Sequence, residues 1–232
     1  FYILTLTGMA DKTLPIRIRR IALPALGLAA LLFFSWVMFH IIWPYRSGRT
    51  DIDFLLTKQH VIPLLHYRFA FYRHIFPALL ALTAGLTQFS GSILRRAPRL
   101  HRWVGRLYAF SILLVCGPAG MLMAWYANGG LIAQSSFLVL SALWWWCTWT
   151  AWRAIRSGNI RKHGAWMIRS YALTLSAITL RLMQFGLALY SDVDPQMAYQ
   201  LVAWPSWVLN LLVAELVLAR TRWFGAVYGK GA

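Results

Sequence analysis

Acidic residues are scarce in this chain: six Asp and Glu stand against 23 Lys and Arg, for a formal net charge of +17 over 232 residues. Charged residues of both signs make up only 12%, against the ~25% of a typical soluble domain. No paired carboxylates, no nucleophile–base motif and no phosphate-binding glycine loop can be picked out, which argues against hydrolytic and phosphoryl-transfer chemistry. Cysteine is rare too. Cys116 and Cys147 both fall in apolar stretches without partners at metal-ligand spacing, so they read as small packing residues and not as a disulfide or a metal site.

What fills the chain instead is apolar: 59% of residues are hydrophobic. Six stretches, Ile21–Trp43, His74–Leu94, Trp103–Tyr126, Leu131–Trp152, Trp166–Tyr190 and Met197–Ala219, each reach the ~20 residues a helix needs to cross a ~30 Å hydrocarbon layer. Lipid offers the backbone no water, so each stretch is expected to be helical. The fold class is therefore all-α, a polytopic six-helix transmembrane bundle over residues 21–219, multi-pass in its membrane. A tail over 1–20 precedes it, a tail over 220–232 follows it, and a long outer loop spans 44–73. Met9 reads as an alternative start, with residues 1–8 as an artefact ahead of it. The first apolar stretch is too long for a cleaved signal and reads as a retained helix.

The basic charge sorts by side. Lys12, Arg17, Arg19 and Arg20, the Arg95–Arg106 turn, the Arg153–Arg169 turn and Arg220, Arg222 and Lys230 fall on one face, while only Arg46, Arg49, Lys58, Arg68 and Arg73 fall on the other, with Asp51, Asp53, Asp192 and Asp194. This positive-inside bias predicts cytoplasmic termini and contact with anionic headgroups, not nucleic-acid binding. Trp43, Trp103, Tyr126, Trp152, Trp166 and Tyr190 sit near span ends, as an aromatic belt would. The Trp144–Trp146 run lies deeper and reads as lipid-facing bulk or as a surface for a larger membrane complex.

Residues able to carry chemistry are few. His101 and His163 open the third and fifth helices on the inner side, at one depth. Two neutral imidazoles so placed suit the two faces of one haem b, with Arg102, Arg106 and Arg169 near enough to meet its propionates. His74, opening the second helix on the outer side, is a weaker ligand candidate. A metal site from His60, His66 and His74 has loose spacing and no acidic cluster. Two ionisable residues lie within spans, where charge is costly and marks either function or an internal pair. Arg181 suits an anionic group, such as a quinone oxygen or a cofactor carboxylate, or is neutralised by Gln88 or Gln184. Glu215 is expected to pair with Arg106 or Arg169. Gln88, Thr179 and Asn210 read as interhelical hydrogen-bonding residues.

From His74 to Glu215 the chain resembles a family of bacterial multi-pass membrane proteins defined only as a domain of unknown function. The resemblance rests on His74, Gln88, His101-Arg102, Gly105-Arg106-x-Tyr108, Ala154-Ile155-Arg156-x-Gly158, His163, Trp166-Met167-Ile168-Arg169-Ser170, Thr179-Leu180-Arg181, Trp207, Asn210 and Glu215. It is also loosely similar to cytochrome b561-type six-helix proteins, whose haem ligands pair histidines of helices 2 and 4 and of helices 3 and 5. That likeness implies one haem site at most, on His101 and His163, because helix 4 has no histidine to serve as a mate for His74. Membrane electron transfer between a quinone and another carrier is the reading it favours; an accessory or scaffold subunit of a larger complex is the alternative.

Overall fold

The computed structural model describes residues 16–220, with side chains described from residue 25 onward. Residues 1–15, Met9 among them, and Arg222 and Lys230 lie outside the described residues; Arg17, Arg19 and Arg20, expected in the tail over 1–20, fall instead in the first turns of a helix over Ile16–Ile42. Those described are helical, with no strand among them. Six helical segments are long and apolar enough to cross a membrane: span 1 Ala25–Ser47, span 2 Leu65–Gln88, span 3 Pro98–Ala124, span 4 Gly130–Arg156, span 5 Ile160–Tyr190 and span 6 Pro195–Arg220. The all-α six-helix architecture read from sequence is thus the one observed.

The boundaries differ most at span 2, which starts nine residues before His74, just after Pro63 and an extended Leu64. Arg68 and Arg73 lower the hydropathy of this first part, so it reads as loop. In the fold they sit on its surface, where Arg73 stacks 4.0 Å over the Phe69 ring and keeps its charge toward the helix end. The long connection therefore shrinks to residues 48–64 and carries the short helix Asp53–Leu56. Tyr45, Leu55, Val61, Ile62, Tyr67 and Phe71 pack together beneath it and close that end of the bundle, called here the loop end. The opposite end is the arginine-rich one, where Ser90 caps a short helix, Gly91–Arg96, between spans 2 and 3.

Spans 2, 3, 4 and 5 form a ring in which each packs on the next and span 5 returns to span 2. Spans 3 and 5 thus face each other across one diagonal, and spans 2 and 4 across the other. Span 6 lies outside against spans 4 and 5. Span 1 lies against span 2, and Met38 and Ile42 reach Leu82 and Ile178. Leu131, Leu114 and Phe185 are more than half exposed on the outside of the bundle, as a hydrocarbon solvent allows.

Span 3 is not uniform. Its middle, Ser111–Cys116, winds as a π-helix just before Gly117-Pro118. Pro118 has no N–H to return to the preceding turn, and a π-bulge absorbs the mismatch. Two carbonyls of this segment then accept from neighbouring spans: Leu113 from Trp145 Nε1 at 3.0 Å, and Cys116 from His74 Nδ1 at 2.8 Å. The local winding of one span thus fixes a tryptophan of span 4 and a histidine of span 2.

Candidate functional site

The two diagonals of the ring carry two different arrangements, at two levels. At the arginine-rich end, His101 of span 3 and His163 of span 5 come within electrostatic range of each other. His163 Nδ1 donates to the Ala151 carbonyl at 2.9 Å, so its Nε2 carries the free lone pair. His101 Nδ1 is buried and has no hydrogen-bond partner. Its backbone carbonyl accepts from Gln88 Nε2 at 3.3 Å, which ties the start of span 3 to the end of span 2. Gly105, one turn on, leaves room for that amide: a Cβ there would stand 3.0 Å from Gln88 Oε1.

Above this level a buried hydroxyl network crosses the bundle. Tyr108 Oη lies 2.7 Å from Ser170 Oγ and 2.9 Å from Thr174 Oγ1. Thr148 Oγ1 reaches Ser170 at 2.7 Å, and Trp144 Nε1 donates to Thr174 at 3.0 Å. Spans 3, 4 and 5 are joined at one height. The network sets the histidine pair apart from a compartment toward the loop end.

The loop-end compartment holds a cavity of about 260 Å³. Its walls are mostly apolar, from Met38, Phe71, Leu79, Leu82, Phe137 and Trp144, but three basic side chains line it: Lys58, His74 and Arg181. Among the described residues no carboxylate lines it. His74 stands about 13 Å along the helix from Leu65, not at the surface. Its Nδ1–H is taken by Cys116, its ring meets Trp144 edge-on at 6.4 Å, and Gly120 allows the approach, since a Cβ there would lie 3.0 Å from the imidazole. Lys58 is 1% exposed. It donates to the Tyr126 carbonyl and, at 2.5 Å, to Asn128 Oδ1, and burial pushes its ammonium down to about 8. Arg181 makes only a long contact of 3.4 Å to Gln184 Oε1 and lies within electrostatic range of Tyr45.

The structure keeps some of the residues read from sequence together and separates others. Arg102 and Arg106 stand on the same helical turns as His101, and Arg106 lies over the Trp103 ring. Arg169 is held by Glu215 in a two-pronged pair at 2.5 and 2.8 Å, as expected for that acid. Arg181 is about 27 Å of helix rise from His163 and belongs to the loop-end cavity, not to the histidine pair. His74 faces Trp144 where a second imidazole would be needed. His66 is engaged by the Tyr126 hydroxyl at 2.8 Å, and among the described residues no three His, Cys, Asp or Glu side chains come together as a metal site. Sequence reasoning missed Lys58 as a buried cation and missed the hydroxyl network. The only signal for the network was Ser170 and Thr174, one turn apart on span 5.

Residues 71–218 match the model of a family described as predicted membrane protein, DUF2306. The chain belongs to that family. No curated protein and no solved structure matches it. Span 1 and the connection carrying Lys58 precede the matched region, so His74, Arg181 and the histidine pair come from the family portion and Lys58 does not. Three motif residues of span 6 are structural. Trp207 Nε1 donates to Ser136 at 2.9 Å, Asn210 Oδ1 accepts from Thr179 at 3.1 Å, and Glu215 holds Arg169, which together fasten span 6 to spans 4 and 5.

Proposed function

We propose that this multi-pass membrane protein is a redox protein of the inner membrane, with cytoplasmic termini, that holds one haem b between His101 and His163 and exchanges electrons with a membrane quinone and a second carrier. The observation that carries this reading is the pair itself: two imidazoles on diagonal spans, one oriented through Nδ1 with Nε2 open, the other with a buried ring nitrogen that has no partner. An imidazole held through its second nitrogen by a carbonyl has the tautomer and the orientation a metal ligand needs. Arg102 and Arg106 have no carboxylate partner among the described residues and are the groups to meet acidic substituents of such a cofactor. Arg169 is not available for that role, because Glu215 occupies it. A haem bound there would supply one-electron chemistry. The chain's own part is to present the two nitrogens and to seal them from the loop-end cavity through the Tyr108–Ser170–Thr148 network.

The test is the reduced-minus-oxidised visible spectrum of protein purified after expression with ample haem supply. A sharp band is expected, lost in His101→Ala and His163→Ala and kept in His74→Ala. A colourless preparation overturns the redox reading. It leaves the accessory-subunit reading, which the exposed Trp146 and Trp149 of span 4, 55% and 37% accessible, support as a docking ridge for a larger membrane complex.

A further inference from the structure

The loop-end cavity is independent of the histidine pair and has its own chemistry. An engineered apolar cavity of about 150 Å³ takes benzene, so one of about 260 Å³ has room for roughly ten heavy atoms on the same scale. Its walls are those of a small-molecule site: apolar and aromatic surface with a few converging polar groups. The polar groups are of one sign. Lys58 and Arg181 both line the cavity, and no described acid answers either. A guanidinium within a membrane span is costly and calls for a counter-charge or polar partners. Gln184 supplies only one long contact. Lys58 uses two of its three N–H groups on Tyr126 and Asn128, which leaves one donor over.

From this charge imbalance around an apolar space we infer that the cavity is a binding site for an amphipathic anion of about ten heavy atoms, its head on Arg181 and Lys58 and its hydrocarbon body against Leu79, Leu82 and Trp144. The inference does not rest on the haem reading. A carboxylate and a phosphate monoester share the required head chemistry. Arginine accommodates either through paired N–H donors.

Full-length protein in neutral-lipid nanodiscs tests this with four probes of one chain length: octanoate, octyl phosphate, octanol and octylammonium. Either or both anions are expected to raise the thermal midpoint in a saturable way, as a ligand of the folded state must. The better of the two identifies the head group, and octanol and octylammonium are expected to have little effect. Arg181→Gln should weaken anion binding by about tenfold or more, the loss of one charge-assisted contact, while Arg181→Lys keeps most of it. Because Arg181→Gln removes an unpaired cation, its midpoint without ligand should not fall. Ala78→Phe, which fills the cavity without touching a charge, should abolish binding of both anions. Equal stabilisation by octanol, unchanged anion binding in Arg181→Gln, or a substituted benzoquinone that binds more tightly than the anions and independently of Arg181 would overturn the proposal. Loss of the haem spectrum in His101→Ala would leave anion binding intact, so the two readings fail separately.

Discussion

The Tyr108 hydroxyl sits 2.7 Å from Ser170 Oγ and 2.9 Å from Thr174 Oγ1, and through them it joins span 3 to span 5 across the bundle diagonal. Tyr108 is 1% exposed, so the phenol has no alternative partner in solvent. Tyr108→Phe removes one donor and leaves Ser170 with Thr148, and Thr174 with Trp144. Hydrogen bonds between membrane helices average well under their vacuum strength, and a loss of about 0.5–1.5 kcal/mol is expected. Thermal unfolding in mild detergent should show a midpoint lower by a few degrees, with the helical signal unchanged. No change at all would mean that the network contributes nothing to holding the spans together.

Gly85 is where span 2 makes room for span 5. A Cβ at this position would run into the Tyr171 ring, whose hydroxyl donates to the Leu82 carbonyl at 2.8 Å. The ring is buried and cannot swing aside cheaply. Gly85→Ala should therefore act as an overpacking substitution and cost about 1–3 kcal/mol, despite the better helix propensity of alanine. Pairing it with Tyr171→Leu, which frees the space, should recover much of the loss. If Gly85→Ala alone is neutral in thermal unfolding, the close approach of spans 2 and 5 is wrong.

The number of spans, their helical state and the pairing of Glu215 with an arginine were all legible in the sequence, because lipid turns length and apolarity into structure almost directly. The site was legible only in part. His101 and His163 could be placed at one level by counting, yet nothing in one strand of sequence shows which spans stand diagonally. The depth of His74 was hidden by Arg68 and Arg73, which made the first turns of span 2 look like a loop. Lys58 looked like one more surface charge in a connection. Its burial depends on Tyr126 and Asn128, nearly 70 residues away, and such a contact leaves no local pattern. Arg181 was recognised as out of place and Gln184 as a partner for it, but Lys58 and His74 as its neighbours around one cavity were not, because depth along a helix does not say which compartment a side chain enters.

The Arg169–Glu215 pair links spans 5 and 6 near the arginine-rich end, with Arg169 24% and Glu215 49% exposed at the side chain. Both residues belong to helical segments long and apolar enough to span a membrane, and lipid around them would solvate an orphaned charge poorly. Glu215→Gln leaves Arg169 with a single neutral acceptor. It should destabilise by about 2–3 kcal/mol, near the cost of an unpaired charge in a span. Arg169→Met together with Glu215→Met removes both charges and should be markedly more stable than either single change. Unfolding midpoints of the four proteins form the cycle. Additive single effects would show that the two side chains do not act as a pair.

Lys58 gives the fold a pH dependence of defined sign. Its pKa falls from the ordinary 10.5 to about 8 because burial penalises the ammonium. Below pH 8 the group is charged both folded and unfolded, and the desolvation cost is fully present. Between 8 and 10.5 the folded chain releases the proton while the unfolded chain keeps it. The unfolded state then binds more protons, and stability must rise with pH across that window. Tyr126 and Asn128 accept N–H from the neutral amine as well as from the ammonium, so deprotonation costs no hydrogen bond. Lys58→Met loses both bonds and should start from a lower midpoint, but it should not share the rise. The decisive quantity is the difference between the two proteins in their change of unfolding midpoint from pH 7.5 to 9.5. A positive difference is expected for the native chain over Lys58→Met. Parallel curves would mean that the amine is hydrated, and the buried cation at the cavity wall would have to be abandoned. Anion binding in the same cavity should weaken over the same interval, as one of its two cations is neutralised.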